Sequence, residues 1–324
     1  MKIVVLDGAA LNPGDLSWNW LDKYGEYAVY SRTDTEEEAV QRIGSSQIVL
    51  TNKTPITRNL LARCPSLRYI GVQATGYNVV DLQAAGERGI PVTNVPCYGT
   101  DAVAQFTFAL LLEICHRVGL HDQAVHSGQW ESSPVFSFWL TRQQELAGKT
   151  MGIIGLGRIG MAVARLARAF GMEVLAHTRT EKEGIQCVDL DTLLQRADVV
   201  SLHCPLLPET AGLICSSTIA RMKDGAILLN TSRGGLLKEA DVAQALESGK
   251  LGYAAVDVVS QEPILHCNPL LTAPNCIITP HMAWAPVESR QRLMECVEDN
   301  LRCFLAGTPQ NVVNRGFLLG WALP

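Results

Sequence analysis

Residues 150–170 read TMGIIGLGRIGMAVARLARAF, a short apolar strand that runs into Gly155-Leu156-Gly157-Arg158-Ile159-Gly160 and leaves it as a helix. A lone G-x-G-x-x-G carries little weight because glycine is common. Here the strand before it and the helix after it supply the context of a dinucleotide-binding turn. In that setting the first glycine makes the tight turn, the second admits the pyrophosphate, and the third lets helix and strand pack closely. The phosphates would rest on the helix N-terminus, where unpaired N–H groups and the helix dipole favour negative charge. A second strand at 172–176 completes a βαβ unit. For NAD, an acid about 20 residues further on would accept hydrogen bonds from the ribose 2′-OH. This strand instead ends Ala176-His177-Thr178-Arg179-Thr180. Arg179 can pair with a 2′-phosphate there, with His177, Thr178 and Thr180 as further donors, which points to NADP ahead of NAD. Glu181 and Glu183, close by, weigh the other way.

The same strand–helix alternation extends in both directions. Further strands are expected at 198–203, 226–230, 253–258 and 276–279, and in the first hundred residues at 3–6, 47–50, 68–72 and 91–95, with helical spacing at 35–43 and 57–63. Continuous apolar strands alternating with helices argue parallel sheets covered on both faces. The expected fold is therefore α/β, with two Rossmann-like doubly wound domains and a cleft between them. Residues 99–118 form the longest helical pattern, opened by Thr100 or Asp101 as N-cap and apolar nearly all round, which suits a subunit interface or an interior helix. Residues 126–144 break the pattern with Gly, Ser, Pro and aromatics and read as a long, functional surface loop.

Composition narrows the class. At about 150 residues per domain, 324 residues allow two domains with full cores. Hydrophobic residues make up 47% and mean hydropathy is +0.11, so the chain is globular. A net charge of −5 without basic runs argues against nucleic-acid binding. The ten cysteines form no C-x-x-C pair, so no metal site is expected, and reduced thiols fit a cytoplasmic protein. The N-terminus meets Asp7 too early for a signal peptide, and no apolar run nears the ~18 residues a membrane span requires.

In an open parallel sheet, ligands bind beyond the carboxyl ends of the strands, so polar residues there are candidates. Three groups qualify: Asn230-Thr231-Ser232-Arg233-Gly234-Gly235 after 226–230, Asp257 and Glu262-Pro263 after 253–258, and Pro280-His281 after 276–279. A guanidinium can grip a carboxylate and polarise a carbonyl, and an imidazole can move a proton near neutrality. A carboxylate bonded to that imidazole holds its tautomer and stabilises its protonated form.

Together these residues resemble the D-isomer-specific 2-hydroxyacid dehydrogenase family, closest to its glycerate dehydrogenase and hydroxypyruvate reductase members. The likeness rests on Gly155 to Gly160, 228–237 (LLNTSRGGLL), 257–263 (DVVSQEP) and Pro280-His281. It implies that Arg233 binds substrate and polarises its carbonyl, that His281 is the acid/base, and that Glu262 orients it. It also implies that Thr231, Ser232, Arg233, Asp257 and His281 line the cofactor, Asp257 on the nicotinamide side, and that His203-Cys204-Pro205 caps it. Thr51-Asn52-Lys53-Thr54 and Ala74-Thr75-Gly76-Tyr77-Asn78 look like the family's substrate loops, with the amides of Ala74, Thr75 and Gly76 holding a carboxylate and Lys53 adding positive charge. Glu262 separates the chain from formate dehydrogenases, where glutamine is expected.

The implied reaction is NAD(P)-dependent reduction of a small 2-oxo acid, hydroxypyruvate or glyoxylate by preference, to the D-2-hydroxy acid. Residues 1–98 and 285–324 would form the substrate domain, the chain returning through a helix at 285–306, and 99–284 the dinucleotide domain. Helix 99–113 would lie in a homodimer interface, with Phe136, Phe138 and Trp139 reaching toward the partner's active site. The stretch 315–324 has no family counterpart; one place for it is on the first domain. A dinucleotide-sensing corepressor of the same fold and a dehydrogenase using phosphite or another small anion are the alternatives.

Overall fold

The computed structural model describes residues 1–318 and divides the chain into two compact units: one holds 1–99 and the chain from Ala285 on, the other Thr100–Trp284. The first unit is built on strands β1 (Lys2–Val5), β2 (Glu26–Val29), β3 (Ile48–Thr51), β4 (Tyr69–Val72) and β5 (Val92–Thr93). They form a parallel sheet in the order β2-β1-β3-β4-β5. Helices α1 (Glu36–Ile43), α2 (Arg58–Arg63) and α3 (Leu82–Glu87) connect the strands. Each starts on a side chain that accepts from an otherwise unpaired N–H: Thr35 from Glu38, Thr57 from Leu60, Asp81 from Ala84.

One face of this sheet packs Val4, Val49, Ile70 and Val72 against Ile43, Leu60, Leu61 and Ala84. The C-terminal helix Val287–Leu305 returns to the same unit, where Phe304 stacks on Tyr69 at 4.6 Å between ring centroids. Beyond it, the Asn314 side chain accepts from the Val92 amide and donates to the Ile90 carbonyl, both at 2.9 Å. Residues Arg315–Phe317 then lie on α3, where a Cβ on Gly86 would come within 2.4 Å of Phe317. This accounts for 315–318 of the unassigned apolar stretch; the rest of it lies outside the described residues.

The second unit begins with α4 (Thr100–His116) and α5 (Val118–His126) and continues through β6 (Thr150–Ile154), α6 (Arg158–Ala169), β7 (Glu173–His177) and β8 (Gln186–Cys187). It ends with α7 (Leu190–Arg196), β9 (Val199–Leu202), α8 (Ser216–Ile219), β10 (Ala226–Asn230), α9 (Glu239–Glu247), β11 (Leu251–Val256) and β12 (Cys276–Ile278). The parallel sheet runs β12-β11-β10-β9-β6-β7-β8, so the direction of winding reverses beside β6. Alternate side chains of each strand enter opposite cores. Met151, Ile153, Val199, Ile227 and Leu229 meet α4 and α6, while Ile154, Val200, Leu202 and Leu228 meet α7, α8 and α9. That two-sided burial is why these strands read as unbroken apolar runs.

Two expectations need correction. Thr100 is the first helical residue of α4 rather than its cap, and Asp101 sits in the first turn, where its carboxylate favours the helix dipole. The run 99–118 is also not one helix. Arg117 adopts left-handed backbone angles (φ 47°), and α5 leaves α4 at a 53° bend. Burial of Phe108, Leu111, Ile114 and Cys115 against α6 and β6 absorbs most of the apolar surface of α4, leaving Phe106 and Leu112 half-buried. The loop after α5 carries exposed aromatics: Phe136 is 91% exposed and Trp139 67%. Among the described residues no single helix is long and apolar enough to cross a membrane.

Candidate active site

The phosphate turn lies at the winding reversal. Gly155 has φ 96°, and a Cβ there would come within 2.6 Å of the Cys204 nitrogen and the His203 carbonyl carbon. A Cβ on Gly160 would stand 2.1 Å from the Gly155 oxygen, so the third glycine is what lets α6 start against the turn. Gly157, by contrast, faces open space, and no side chain caps the N-terminus of α6. A helix start with free N–H groups and a glycine that leaves room for an anion fits the pyrophosphate of a dinucleotide. Leu156 is buried, and Arg158 and Ile159 open the helix.

The neighbouring strand ends complete the rim. The His203 amide donates to Ile154 O at 2.8 Å, and its Nε2 lies 2.8 Å from Ser201 Oγ. Desolvation pushes the His203 imidazole down to about 4, so it is neutral at physiological pH. Cys204 is buried, and its carbonyl accepts from Ser232 Oγ at 2.8 Å, while Pro205 is exposed. Thr231 Oγ1 lies 3.0 Å from Thr107 Oγ1. At the tip of β7, Thr178 is half-buried, and Arg179 is exposed with no ion pair among the described residues.

The candidate catalytic side chains follow β10, β11 and β12, three adjacent strands. Asn230, fully buried, shapes the first loop: its Oδ1 accepts from the Ser232 amide at 3.1 Å and its Nδ2 donates to the Arg233 carbonyl at 2.9 Å. Arg233 is exposed, with Nη1 donating to Ser232 O at 2.7 Å. Gly234 then presses on the next loop so closely that a Cβ would lie 1.9 Å from the Val259 carbonyl carbon. In that loop Glu262 reaches His281, with Oε2 2.6 Å from Nδ1. Both side chains are about one-third exposed, leaving Nε2 of the imidazole available to a ligand.

His281 itself has φ 53°, a left-handed conformation that costs a non-glycine residue free energy unless its surroundings hold it. Asp257 does so. Its carboxylate, 1% exposed, accepts from Thr279 Oγ1 (2.6 Å), the Met282 amide (2.9 Å) and the Ala283 amide (2.8 Å), on both sides of His281. The residue expected beside the nicotinamide is thus aimed at the loop that presents the histidine. Among the described residues no His/Cys/Asp/Glu cluster could hold a metal.

In the first unit, Asp7 organises the loop after β3. Its buried carboxylate accepts from the amides of Asn52 (2.8 Å), Lys53 and Thr54 (2.8 Å). Asn52 Nδ2 donates to Gln73 O at 2.7 Å, which links this loop to the stretch Ala74, Thr75, Gly76. There Thr75 Oγ1 and the Asn94 side chain pin the backbone to β5's continuation. Lys53 is exposed and makes no ion pair among the described residues. Asp7 and Asp257 both follow strands, the signal that selected Arg233 and His281, yet they act on backbone groups distant in sequence. Asp7→Ala would leave three loop N–H groups without their acceptor. The expected result is a loss of about 3 kcal/mol from the unfolding transition of this unit in urea. An unchanged midpoint would contradict the role given to Asp7.

Comparisons with known proteins identify the family. A family model described as "D-isomer specific 2-hydroxyacid dehydrogenase, NAD binding domain" matches residues 108–283. The chain belongs to the D-isomer specific 2-hydroxyacid dehydrogenase family and is an enzyme of that class. It is 56% identical over 322 residues to a hydroxypyruvate reductase from Blautia hydrogenotrophica, covering 97% of this chain and 100% of the relative. A glycerate dehydrogenase from Methylorubrum extorquens is 40% identical, covering 96% and 98%. Among solved structures, the TT0316 protein from Thermus thermophilus superimposes with a TM-score of 0.86 at 37% identity, covering 97% and 100%.

Proposed function

We propose that the enzyme reduces a small 2-oxo acid, hydroxypyruvate or glyoxylate by preference, to the D-2-hydroxy acid. The observation that carries this reading is the 2.6 Å contact between Glu262 and His281 Nδ1. With Nδ1–H directed at a carboxylate, the opposite nitrogen carries the proton that a carbonyl oxygen takes up as it becomes a hydroxyl. Bound on the α6 turn, a reduced nicotinamide cofactor supplies the hydride. Arg233 grips the substrate carboxylate and draws electron density from its carbonyl. In the first unit, Lys53 and the amides of Ala74, Thr75 and Gly76 are proposed as a substrate-binding stretch. His203, neutral and fixed by Ser201, with Cys204, Pro205, Thr178, Thr231 and Ser232 borders the cofactor. The identities to a hydroxypyruvate reductase and a glycerate dehydrogenase support the substrate class. Rates with a panel of 2-oxo acids and both reduced cofactors test it; turnover confined to bulky oxo acids would contradict it.

NADPH is the proposed preference, because Arg179 stands exposed, and among the described residues without an ion pair, at the tip of β7 where an acid would face a 2′-OH. A charged hydrogen bond to a 2′-phosphate is worth roughly 2 kcal/mol, or about thirtyfold in kcat/KM. Steady-state kinetics should therefore favour NADPH, and Arg179→Ala should remove most of the difference; a clear preference for NADH would refute the assignment.

Phe136 and Trp139, exposed on the loop after α5, support a homodimer through the dinucleotide unit. The ten cysteines, all free thiols, support a cytoplasmic setting.

A further inference from the structure

The loop that carries Glu262 is exposed from Ser260 to Pro263. Among the described residues its hydrogen bonds are few: Glu262 bonds His281 and accepts from the Val259 amide at 3.3 Å, and Ser260 bonds Glu239 twice. The Ser260 amide donates to Glu239 Oε1 at 2.7 Å, and Ser260 Oγ donates to Oε2 at 2.6 Å. Glu239 is the first residue of α9, the helix that directly follows the Arg233 loop. That loop touches the Glu262 loop through Gly234, where no Cβ fits against Val259 and Ser260. One carboxylate therefore ties the segment bearing the guanidinium to the segment bearing the acid–base partner.

We propose that Glu239 is a positioning residue for the reduction: its two-point grip on Ser260 sets the place of the Glu262 carboxylate, and through it the ring of His281, relative to Arg233. This rests on the acid–base reading above. An acid in the first turn of a helix also stabilises the helix dipole, and that role alone would involve neither Ser260 nor kcat. The geometric role is sensitive to misplacement, since small errors in the position of a catalytic group cost large factors in rate.

The test compares Glu239→Ala, Glu239→Gln and Ser260→Ala with His281→Ala and Glu262→Gln in the full-length enzyme. For Glu239→Ala we expect kcat to fall about tenfold, with the KM for reduced cofactor within twofold of wild type and the thermal midpoint only slightly lower. Glu239→Gln keeps an acceptor for the amide and an N–H for the hydroxyl, and should recover most of the rate. Ser260→Ala, an exposed change that spares the fold, should cost about threefold, and the double variant Glu239→Ala/Ser260→Ala should be no slower than Glu239→Ala. Wild-type kcat in Glu239→Ala, alongside collapse in His281→Ala and Glu262→Gln, would overturn the clamp alone. Retained turnover in His281→Ala and Glu262→Gln would overturn the acid–base reading and the clamp with it. Equal losses in Glu239→Ala and Glu239→Gln, with Ser260→Ala unaffected, would reduce Glu239 to a helix-end charge.

Discussion

Replacing His281 with alanine should lower kcat for 2-oxo acid reduction by about 10³-fold while the dissociation constant for reduced cofactor changes little. General acid catalysis by a positioned side chain contributes roughly 10²–10⁴-fold, and removing this imidazole leaves the carbonyl oxygen with only water as proton source. Cofactor affinity is spared because the α6 turn and the end of β9 are built from other residues: Gly155, Gly157, Gly160, His203 and Cys204. Alanine at position 281 keeps the left-handed backbone, which Asp257 still holds through Thr279, Met282 and Ala283, so the variant should fold. Steady-state kinetics paired with cofactor fluorescence titration separate the two effects. A kcat within tenfold of wild type would exclude His281 as the proton donor.

The second large effect is expected at Arg233. Asn230 braces its loop from both sides, and Gly234 locks the loop against Val259, so the guanidinium starts from a fixed backbone. A donor aimed at charge that develops in the transition state is worth about 10²–10³-fold, and this one is also proposed to hold the substrate carboxylate. Arg233→Ala should therefore lose about 10³-fold in kcat/KM for the 2-oxo acid. Arg233→Lys should regain little of it, because an ammonium cannot reproduce the planar two-point grip. Substrate-saturation curves measure this; a lysine variant as active as the parent would show that charge alone suffices.

Much of this arrangement is legible in the residues before any coordinates. The strands of the second unit are apolar on both faces, so their limits stand out against the Gly, Asp and Asn that follow them, and Arg233, Glu262 and His281 are found by looking just past those limits. Strand β2 is harder: Glu26–Val29 is an edge with Glu26 and Ala28 exposed, and Val29 is its single β-branched residue. The break between α4 and α5 is hidden as well, because the apolar pattern continues past Arg117 and only its left-handed backbone turns the chain. The supporting carboxylates are hidden for a different reason. Asp7, Asp257 and Glu239 bond to groups 21 to 47 residues away, and nothing in local spacing says which loop a carboxylate will meet. Asp257 shows the consequence: its position after β11 marks it as a site residue, while its task, holding the His281 loop in a left-handed turn, emerges only once β11 and β12 lie side by side.

In the proposed reaction, hydride passes from the reduced nicotinamide to C2 of a small 2-oxo acid and His281 supplies the proton. The most direct measurement follows the loss of nicotinamide absorbance when NADPH or NADH is mixed with the enzyme and either hydroxypyruvate or glyoxylate, with chiral analysis of the hydroxypyruvate product and His281→Ala run in parallel. The expected result is rapid oxidation of the cofactor, one D-glycerate formed per cofactor consumed, and near-silence in the variant. Tight cofactor binding without turnover on any 2-oxo acid would contradict it and mark the chain as a dinucleotide-binding protein instead.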